Sequence, residues 1–279
     1  MKPHVSPSQL STMEKCGEMW RIKYIERIRT TPNENLVGGS ACHAVAEWIL
    51  RQNVLLSMPE KEAVEERARV LTLAQIRKDG VKVIKGLSKS DKSKFISNMQ
   101  DYVSAYSLLY LQDIAPIIKV ESVDDIEREF YLDIDGFDFD VNGHIDVVER
   151  GGFRDLKTAG KKPSQSAIDT ADQYTFYALW YYHEFGEMPK IYQDTIVKTK
   201  SPYISIIETE RDYDDFKVIF KKLENFSKIT ESGVFHHASN MGWWCSSKFC
   251  DFYNECKYTR NPKSITVGDI GNEQQCNKN

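Results

Sequence analysis

The spacing of apolar residues along the chain predicts an alternation of helices and strands. Helices are predicted over residues 7–28, 40–56, 60–78, 91–112, 168–185 and 212–231, and strands over 127–134, 137–149, 153–158, 191–198 and 203–209. Helices on both sides of a block of strands indicate an α/β or α+β fold, in which a mixed central sheet is flanked by helices.

Two of these strands form a predicted β-hairpin around the turn signal Gly151-Gly152. Because side chains alternate across a strand, Asp155 and Lys157 share a face and Leu156 points away from it. A two-residue loop at Gly151-Gly152 places Asp146 on the same face, opposite Lys157, whereas a three-residue loop would break this register. Two carboxylates and one ammonium at one point can hold a divalent metal and cut a phosphodiester. The alternative is an Asp–Lys pair on a surface hairpin.

The segment Gly38-Gly39-Ser40 ends a predicted loop, and Ser40 is a suitable N-cap for the helix that follows. His43 and Glu47 are four residues apart, so they share a face of that helix. A neutral imidazole is a normal ligand for a transition metal such as Mn²⁺. The alternative is a surface histidine or one that is hydrogen-bonded in the core.

A third pair of polar residues lies in the helix predicted over 168–185. Gln173 and Tyr177 are four residues apart and project together. An amide and a phenol on one face can hydrogen-bond phosphates or bases. The many aromatic residues of this helix favour burial instead, and Gln173 is the stronger candidate of the two.

Three cysteines, Cys245, Cys250 and Cys256, occur within twelve residues near the C-terminal end. The segment 1–4 lacks the apolar core of a signal peptide, so we expect a reducing cytoplasmic environment, in which clustered cysteines bind metal more often than they form disulfides. With Cys16 as a remote fourth ligand, the set suits a Cys₄ iron–sulfur cluster. Zinc and free thiols remain the alternatives, although zinc sites usually show two close pairs.

These motifs together resemble those of RecB-type nucleases of the PD-(D/E)XK superfamily. The resemblance is to the iron–sulfur branch, which includes AddB-like nuclease domains and CRISPR-associated exonucleases. The matching segments run in order over residues 6–256: Ser6-Pro7-Ser8-Gln9-Leu10 with Cys16, Gly38 with His43 and Glu47, Gly143-His144-Ile145-Asp146, Asp155-Leu156-Lys157, Gln173 with Tyr177, and the three late cysteines.

The resemblance implies a metal-dependent nuclease. Asp146, Asp155, the Leu156 carbonyl and His43 would bind Mg²⁺ or Mn²⁺, and Lys157 would orient or deprotonate the attacking water or stabilise the developing negative charge. Further residues are expected to support the metal site or position the nucleic acid: Glu47, Gln173 and Tyr177. A 4Fe–4S cluster would be bound by four cysteines: Cys16, Cys245, Cys250 and Cys256.

The composition agrees with an intracellular globular protein of 279 residues, 41% of them hydrophobic. No apolar run approaches the roughly 20 residues of a membrane span. The net charge of −4 and the isoelectric point near 5.9 are unusual for a DNA-binding protein, so we expect local basic clusters and metal-assisted affinity.

We therefore expect one nuclease domain over residues 1–262, with a helical insertion at 50–125 and a polar tail at 263–279. The expected function is that of an exonuclease in DNA recombination, repair or end processing. The expected partner is DNA, as single strands or duplex ends. A phage or mobile element is the expected source, and a recombination or CRISPR-adaptation protein is a further expected partner. The alternatives are a catalytically silent or a zinc-stabilised DNA-binding or scaffold protein.

The insertion carries an aromatic stripe (Phe95, Met99, Tyr102, Tyr106 and Leu109), which we interpret as core packing, with DNA stacking as the alternative.

Overall fold

A mixed sheet of six strands flanked by helices forms the centre of the fold in the computed structural model, which describes residues 3–238, 242–256 and 258. The helices are α1 (Pro7–Lys15), α2 (Gly17–Trp20), α3 (Glu34–Leu55), α4 (Lys61–Asp79), α5 (Lys89–Asp113), α6 (Gln165–Asp169), α7 (Asp172–Phe185) and α8 (Tyr213–Ser232). The strands are β1 (His4–Val5), β2 (Ile126–Asp133), β3 (Asp140–Glu149), β4 (Gly152–Ala159), β5 (Lys190–Val197) and β6 (Tyr203–Thr209). The tail at 263–279 lies outside the described residues.

The strand β3 organises the sheet. It pairs with β2 in an antiparallel register that runs from Asp133–Asp140 to Ile126–Val147, and on its other side with β1 in parallel and then with β4 in antiparallel. The strands β4 and β5 are parallel, with α6 and α7 in the connection between them, and β6 pairs antiparallel to β5. This order confirms the predicted mixed sheet.

One face of the sheet is covered by α3 and α5, and α4 packs on these two helices. Val45 and Ile49 of α3 are fully buried in a core that includes Val147, Leu156 and Ile196 of the strands. Burial of each such aliphatic side chain contributes about 1.5–3 kcal/mol to stability relative to exposure. This core fixes the position of α3 against the strands that follow the hairpin turn.

The other face is covered by α7 and is largely aromatic. The Tyr177 ring meets Phe130 of β2 and Phe153 of β4 edge-on, with ring centroids 5.6 and 5.7 Å apart, and Trp180 stacks on Phe130 at 5.5 Å. Edge-to-face pairs of this kind add about 0.5–1.5 kcal/mol beyond their area burial. The packing holds the central part of α7 against β2 and the start of β4.

The predicted start of the helix 40–56 was wrong. The helix α3 begins at Glu34, and the Asn33 side chain caps it by accepting a hydrogen bond from the Leu36 N–H at 3.0 Å. Gly38 therefore lies inside the helix rather than in a loop. A Cβ at Gly38 would lie 1.6 Å from the Tyr102 hydroxyl oxygen, so the glycine admits the close approach of α5.

The predicted helix 7–28 is interrupted at Cys16. That residue is extended, with φ −167° and ψ 110°, and its Sγ accepts a hydrogen bond from the Met19 N–H at 3.4 Å, so it caps α2. A π-helical turn, Arg21–Ile25, follows. The extended backbone of Cys16 thus ends α1, and its side chain caps the start of α2.

The predicted helix 168–185 is divided into α6 and α7. The Arg211 guanidinium donates hydrogen bonds to the carbonyls of Ile168 and Ala171 at 2.9 and 3.1 Å. Each of these carbonyls also accepts a backbone hydrogen bond, from the Ala171 N–H and the Tyr174 N–H, so Arg211 adds a second donor at the break. This contact comes from a distant side chain, so the apolar pattern of the helix does not reveal it.

The chain divides into two compact units. The first comprises residues 1–11 and 31–228, and the second comprises 12–30 and 229–279. The second unit has its own small core, in which Ile22 packs with Phe252 and Cys256. Among the residues that the structure describes, no helix combines the length and apolar character needed to cross a membrane.

Candidate functional site

The hairpin of β3 and β4 has a different register from the predicted one. The observed pairs are Val147–Arg154, Val148–Phe153 and Glu149–Gly152, so the two-residue turn is Arg150–Gly151. Continued by one step, this register sets Asp146 opposite Asp155, not opposite Lys157. The error is two residues, which leaves the alternation of side chains unchanged.

The turn is displaced because Gly152 is needed in the strand. A Cβ at Gly152 would lie 2.1 Å from the Lys190 carbonyl oxygen, so only glycine allows β5 to approach at this point. Gly151 takes the left-handed conformation of the turn, with φ +83°. The hairpin register is thus fixed by contact with β5 as well as by turn chemistry.

The carboxylates of the hairpin are held by different partners. Asp146 Oδ2 accepts a hydrogen bond from the Leu156 N–H at 2.6 Å. Leu156 lies past Val147–Arg154, the last backbone pair of β3 and β4, so its N–H binds a side chain of β3 instead of the β3 backbone. The Lys157 ammonium lies 2.9 and 2.8 Å from the two oxygens of Asp155, which is 1% exposed. The structure therefore brings both carboxylates and the lysine together.

The helix α3 brings a histidine to the same place. His43 Nδ1 lies 3.5 Å from Asp146 Oδ2. Glu127 of β2 completes a set of three potential ligands, since one atom of each of His43, Glu127 and Asp146 lies within 4.8 Å of the others. Carboxylate oxygens suit Mg²⁺ and Mn²⁺, and an imidazole nitrogen suits the softer transition metals, so this donor set fits a divalent cation.

Sequence reasoning did not identify Glu127. Its backbone has φ +54°, which is uncommon for a residue other than glycine. The antiparallel register of β2 and β3 sets it level with Asp146, between the pairs Ile126–Val147 and Arg128–Ile145. The available signal was the predicted strand 127–134, whose first residue is this glutamate.

The charges of the site perturb one another. Burial raises the pKa of Asp155, and Lys157 offsets this only in part. Burial also acts to raise the pKa of Asp146, but His43, together with the charge of Lys157 and the Leu156 N–H, outweighs it and holds the pKa below its usual range. Burial opposes charge on His43 and Lys157, yet the neighbouring carboxylates raise the pKa of both. Burial, followed by the charge of Asp146, raises the pKa of Glu127 to about 7.

The helix α7 supports Asp155 from the other side. The Gln173 amide donates to Asp155 Oδ1 at 2.9 Å and to the Tyr177 hydroxyl at 2.8 Å. The Tyr174 hydroxyl lies 3.0 Å from Asp155 Oδ2 and also binds Gln193. Tyr177 is only 5% exposed, and the Gln173 amide connects its hydroxyl to the carboxylate. Tyr174 was not identified from the sequence, because its place in the aromatic run indicated only burial.

A cavity of about 720 Å³ opens beside these residues. His43, Glu127 and Asp146 line one side of it, together with Glu47, which binds the Arg51 guanidinium at 2.8 Å. Its lining also includes polar residues from α3, α4 and the ends of β4 and β5: Asn35, Gln75, Lys78, Thr158 and Lys198. We call this space the catalytic cavity.

The predicted cluster ligands all lie in the second unit. Cys16 and Cys256 are buried, Cys245 and Cys250 are half-buried, and none of the four forms a disulfide. Burial raises the pKa of Cys245, and the thiolates of Cys16 and Cys256 raise it further; burial and the other three cysteines raise the pKa of Cys250. The four sulfurs are therefore close enough to interact electrostatically.

Comparison with known proteins identifies a family model that matches this chain. A family model described as the PD-(D/E)XK nuclease superfamily matches residues 4–257. No curated protein matches the sequence. A presumed exonuclease from Eubacterium rectale, known from its crystal structure, is 13% identical with a TM-score of 0.58, and the match covers 96% of this chain and 92% of that one.

At this identity the likeness to the Eubacterium rectale protein concerns the fold alone. The crystal structure of SSO0001 is 12% identical over 93% of this chain and 96% of that one, but its TM-score of 0.31 carries no argument. The family model, in contrast, spans almost the whole chain, including the hairpin and the helix α7 that hold the acidic site. On that match, the chain belongs to the PD-(D/E)XK nuclease superfamily.

Proposed function

We propose that this nuclease is a divalent-metal-dependent deoxyribonuclease that acts mainly as an exonuclease on single strands or duplex ends. The observation that carries the proposal is the meeting of His43, Glu127 and Asp146 beside the Asp155–Lys157 pair. This is a set of metal ligands next to a fixed positive charge, at the edge of an open cavity.

The residues that would hold Mg²⁺ or Mn²⁺ are His43, Asp146, Asp155, the Leu156 carbonyl and Glu127. Bound there, a divalent cation lowers the pKa of a water ligand and stabilises negative charge on the phosphoryl oxygens. Three acidic side chains explain why a chain of net charge −4 needs the cation before it can bind DNA at this point.

Lys157 acts as a cation in this proposal. Its pKa is raised because the nearby carboxylates outweigh the effect of burial, so it keeps its proton at neutral pH. An ammonium fixed by both oxygens of Asp155 can stabilise charge that develops on the phosphate, but it cannot remove a proton from water. Gln173 and Tyr174 position the carboxylate by binding both of its oxygens.

The proposal is tested by incubating the protein with 5′- or 3′-labelled single- and double-stranded DNA and with Mg²⁺, Mn²⁺ or EDTA. We expect mononucleotides or short products from one labelled end with either metal and none with EDTA. Cutting of circular DNA would contradict the exonuclease assignment, and an absence of cutting under all these conditions would contradict the nuclease assignment.

The second unit is the proposed site of a 4Fe–4S cluster, held by Cys16, Cys245, Cys250 and Cys256, which would place the chain in the iron–sulfur branch of the family. The support is that four cysteines from distant parts of the chain, none of them in a disulfide, lie in one compact unit. Such a cluster would tie these segments together and stabilise the unit, as metal binding does in other small cores.

Iron and zinc analysis of protein purified without oxygen separates the alternatives. We expect a brown protein with roughly four irons per chain. The control is Cys42→Ser, because Cys42 is buried in the core of the first unit and should not affect iron content. A colourless protein with one zinc per chain would replace the cluster with a zinc site. The proposed biological setting is recombination, repair or CRISPR adaptation, and the proposed localisation is the cytoplasm.

A further inference from the structure

A second cavity, of about 500 Å³, lies against the helix α5. Three aromatic side chains of that helix line it, Phe95, Tyr102 and Tyr106, and the Tyr102 and Tyr106 rings lie 5.4 Å apart with an interplanar angle of 45°. We call this space the tyrosine pocket. A volume of 300–1,000 Å³ is typical of ligand sites.

The aromatic residues of α5 are not equivalent to its core residues. Met99 and Val103 are 2% and 0% exposed, and they pack against α3 and α4. Phe95, Tyr102 and Tyr106 are half-buried and present part of each ring to open space. These three rings pack against the core, as predicted for the stripe, but each of them also lines the cavity.

The tyrosine pocket adjoins the catalytic cavity. Asn35 and Lys198 line both spaces, and the Lys198 ammonium donates to Asn35 Oδ1 at 2.9 Å. The partner of this ammonium is a neutral amide, so the bond does not neutralise its positive charge. A lysine at the boundary between the two cavities is well placed to contact a backbone phosphate.

The ring of Tyr102 is held in place by α3. Its hydroxyl occupies the space at Gly38 and lies 3.5 Å from the Glu34 carbonyl oxygen. A preformed ring needs little ordering when a ligand binds, which favours affinity. The pocket thus combines a fixed aromatic wall with the positive charge of Lys198 at its boundary with the catalytic cavity, and Glu34 also belongs to its lining.

From these observations we infer that the tyrosine pocket binds unpaired bases of the DNA strand whose phosphate enters the catalytic cavity, with the bases stacked on Tyr106 and Tyr102 and the intervening phosphate at Lys198. The inference rests on the proposed function and deepens it, because it assigns a single-stranded substrate segment to the helical insertion. Sequence-tolerant stacking on aromatic rings beside a basic track is a general mode of single-strand binding.

The inference is tested with a short single-stranded oligodeoxynucleotide that carries the fluorescent base 2-aminopurine at successive positions. Ca²⁺ replaces Mg²⁺ and Mn²⁺, so that a cation that prefers oxygen ligands is present, and binding is recorded before any cutting is detected. Stacking on tyrosine should quench the fluorescence at one or two adjacent positions. In Tyr106→Leu, which keeps apolar volume but removes the aromatic face, we expect the quenching to disappear. In Tyr106→Phe, it should persist.

Cleavage kinetics in Mn²⁺ give a second measurement. We expect Tyr106→Leu to raise the KM for single-stranded DNA by roughly 5- to 150-fold, the range expected for loss of one base–aromatic stack, with little change in kcat. The matched control is Tyr131→Leu, since Tyr131 is 56% exposed on β2 and lines neither cavity. Melting temperatures confirm that each variant is folded.

The outcomes separate the two proposals. Cutting by the wild-type protein with no quenching at any position, or with a normal KM in folded Tyr106→Leu, would overturn the inference and leave the nuclease proposal intact. Quenching that depends on Tyr106 but without cutting would support the pocket and contradict the nuclease. If the wild-type protein neither binds nor cuts the strand, both proposals fail.

Discussion

The substitution Gly38→Ala should change sign in its effect on stability according to the residue at position 102. A Cβ at Gly38 would lie 1.6 Å from the Tyr102 hydroxyl oxygen, 2.6 Å from Cζ and 2.9 Å from Cε2. These distances are too short for a small adjustment of a planar ring. The Tyr102 side chain must leave its position, and part of its packing is lost with it.

The magnitude follows from two opposing effects. Replacement of glycine by alanine inside a helix stabilises by about 0.5–1 kcal/mol, because alanine loses less backbone entropy on folding. Overpacking costs about 1–3 kcal/mol. We therefore expect Gly38→Ala to lower the free energy of unfolding by about 1–2 kcal/mol in the wild-type background and to raise it by about 0.5–1 kcal/mol in a Tyr102→Ala background.

The assay is urea denaturation of the two single variants and the double variant, with the free energy of unfolding taken from the midpoint and slope. Gly39→Ala is the matched control, because a Cβ there would meet only the Thr158 hydroxyl, at 3.1 Å. It should be nearly neutral or slightly stabilising. Equal stabilisation by Gly38→Ala with and without the Tyr102 ring would refute the reasoning.

Three further predictions concern the site and its support. Calorimetry should show that Mn²⁺ affinity rises as pH increases toward 7, because Glu127, whose pKa is about 7, binds the cation only when deprotonated; Glu127→Gln should weaken binding and lose this part of the pH dependence. Arg154→Met should cost about 3–5 kcal/mol at pH 7, because it leaves Asp194, bound at 2.8 and 2.9 Å, as an uncompensated buried charge. Burial already raises the pKa of Asp194, so the cost should diminish as pH falls and the carboxyl is protonated, and a cost independent of pH would contradict this. Cys16→Ser should lower the melting temperature and iron content while folded protein keeps its metal-dependent cutting, and a normal melting temperature without iron would exclude a stabilising role for the cluster.

Much of the site can be predicted from local patterns. The hairpin, the alternation that groups Asp155 with Lys157, and the i, i+4 pair Gln173 and Tyr177 depend on strand and helix periodicity alone. The register could not be predicted, because Gly152 is required by the approach of the Lys190 backbone from a strand that lies some 40 residues away in sequence. A contact between residues as far apart in the chain as Gly152 and Lys190 leaves no local sequence pattern.

The remaining differences have the same physical origin. Glu127 reaches the site only because β2 pairs with β3 at one register and its backbone adopts an unusual conformation. The pair Gly38-Gly39 indicates a loop by composition, yet it lies in α3 because α5 packs closely at Gly38. In each case a tertiary contact overrides a local preference, and single-sequence patterns contain no information about it.

The most direct measurement of the central claim is the rate at which folded Asp155→Asn cuts end-labelled DNA in Mn²⁺, compared with Asp214→Asn. Asp155 is 1% exposed and is bound by Lys157, whereas the side chain of Asp214 is 82% exposed in a surface ion pair of α8. The account predicts a loss of at least about 100-fold for Asp155→Asn, the scale on which loss of one charge-stabilising group acts, and no loss for Asp214→Asn. Near wild-type cutting by folded Asp155→Asn would contradict the assignment of this carboxylate–lysine pair as the nuclease centre.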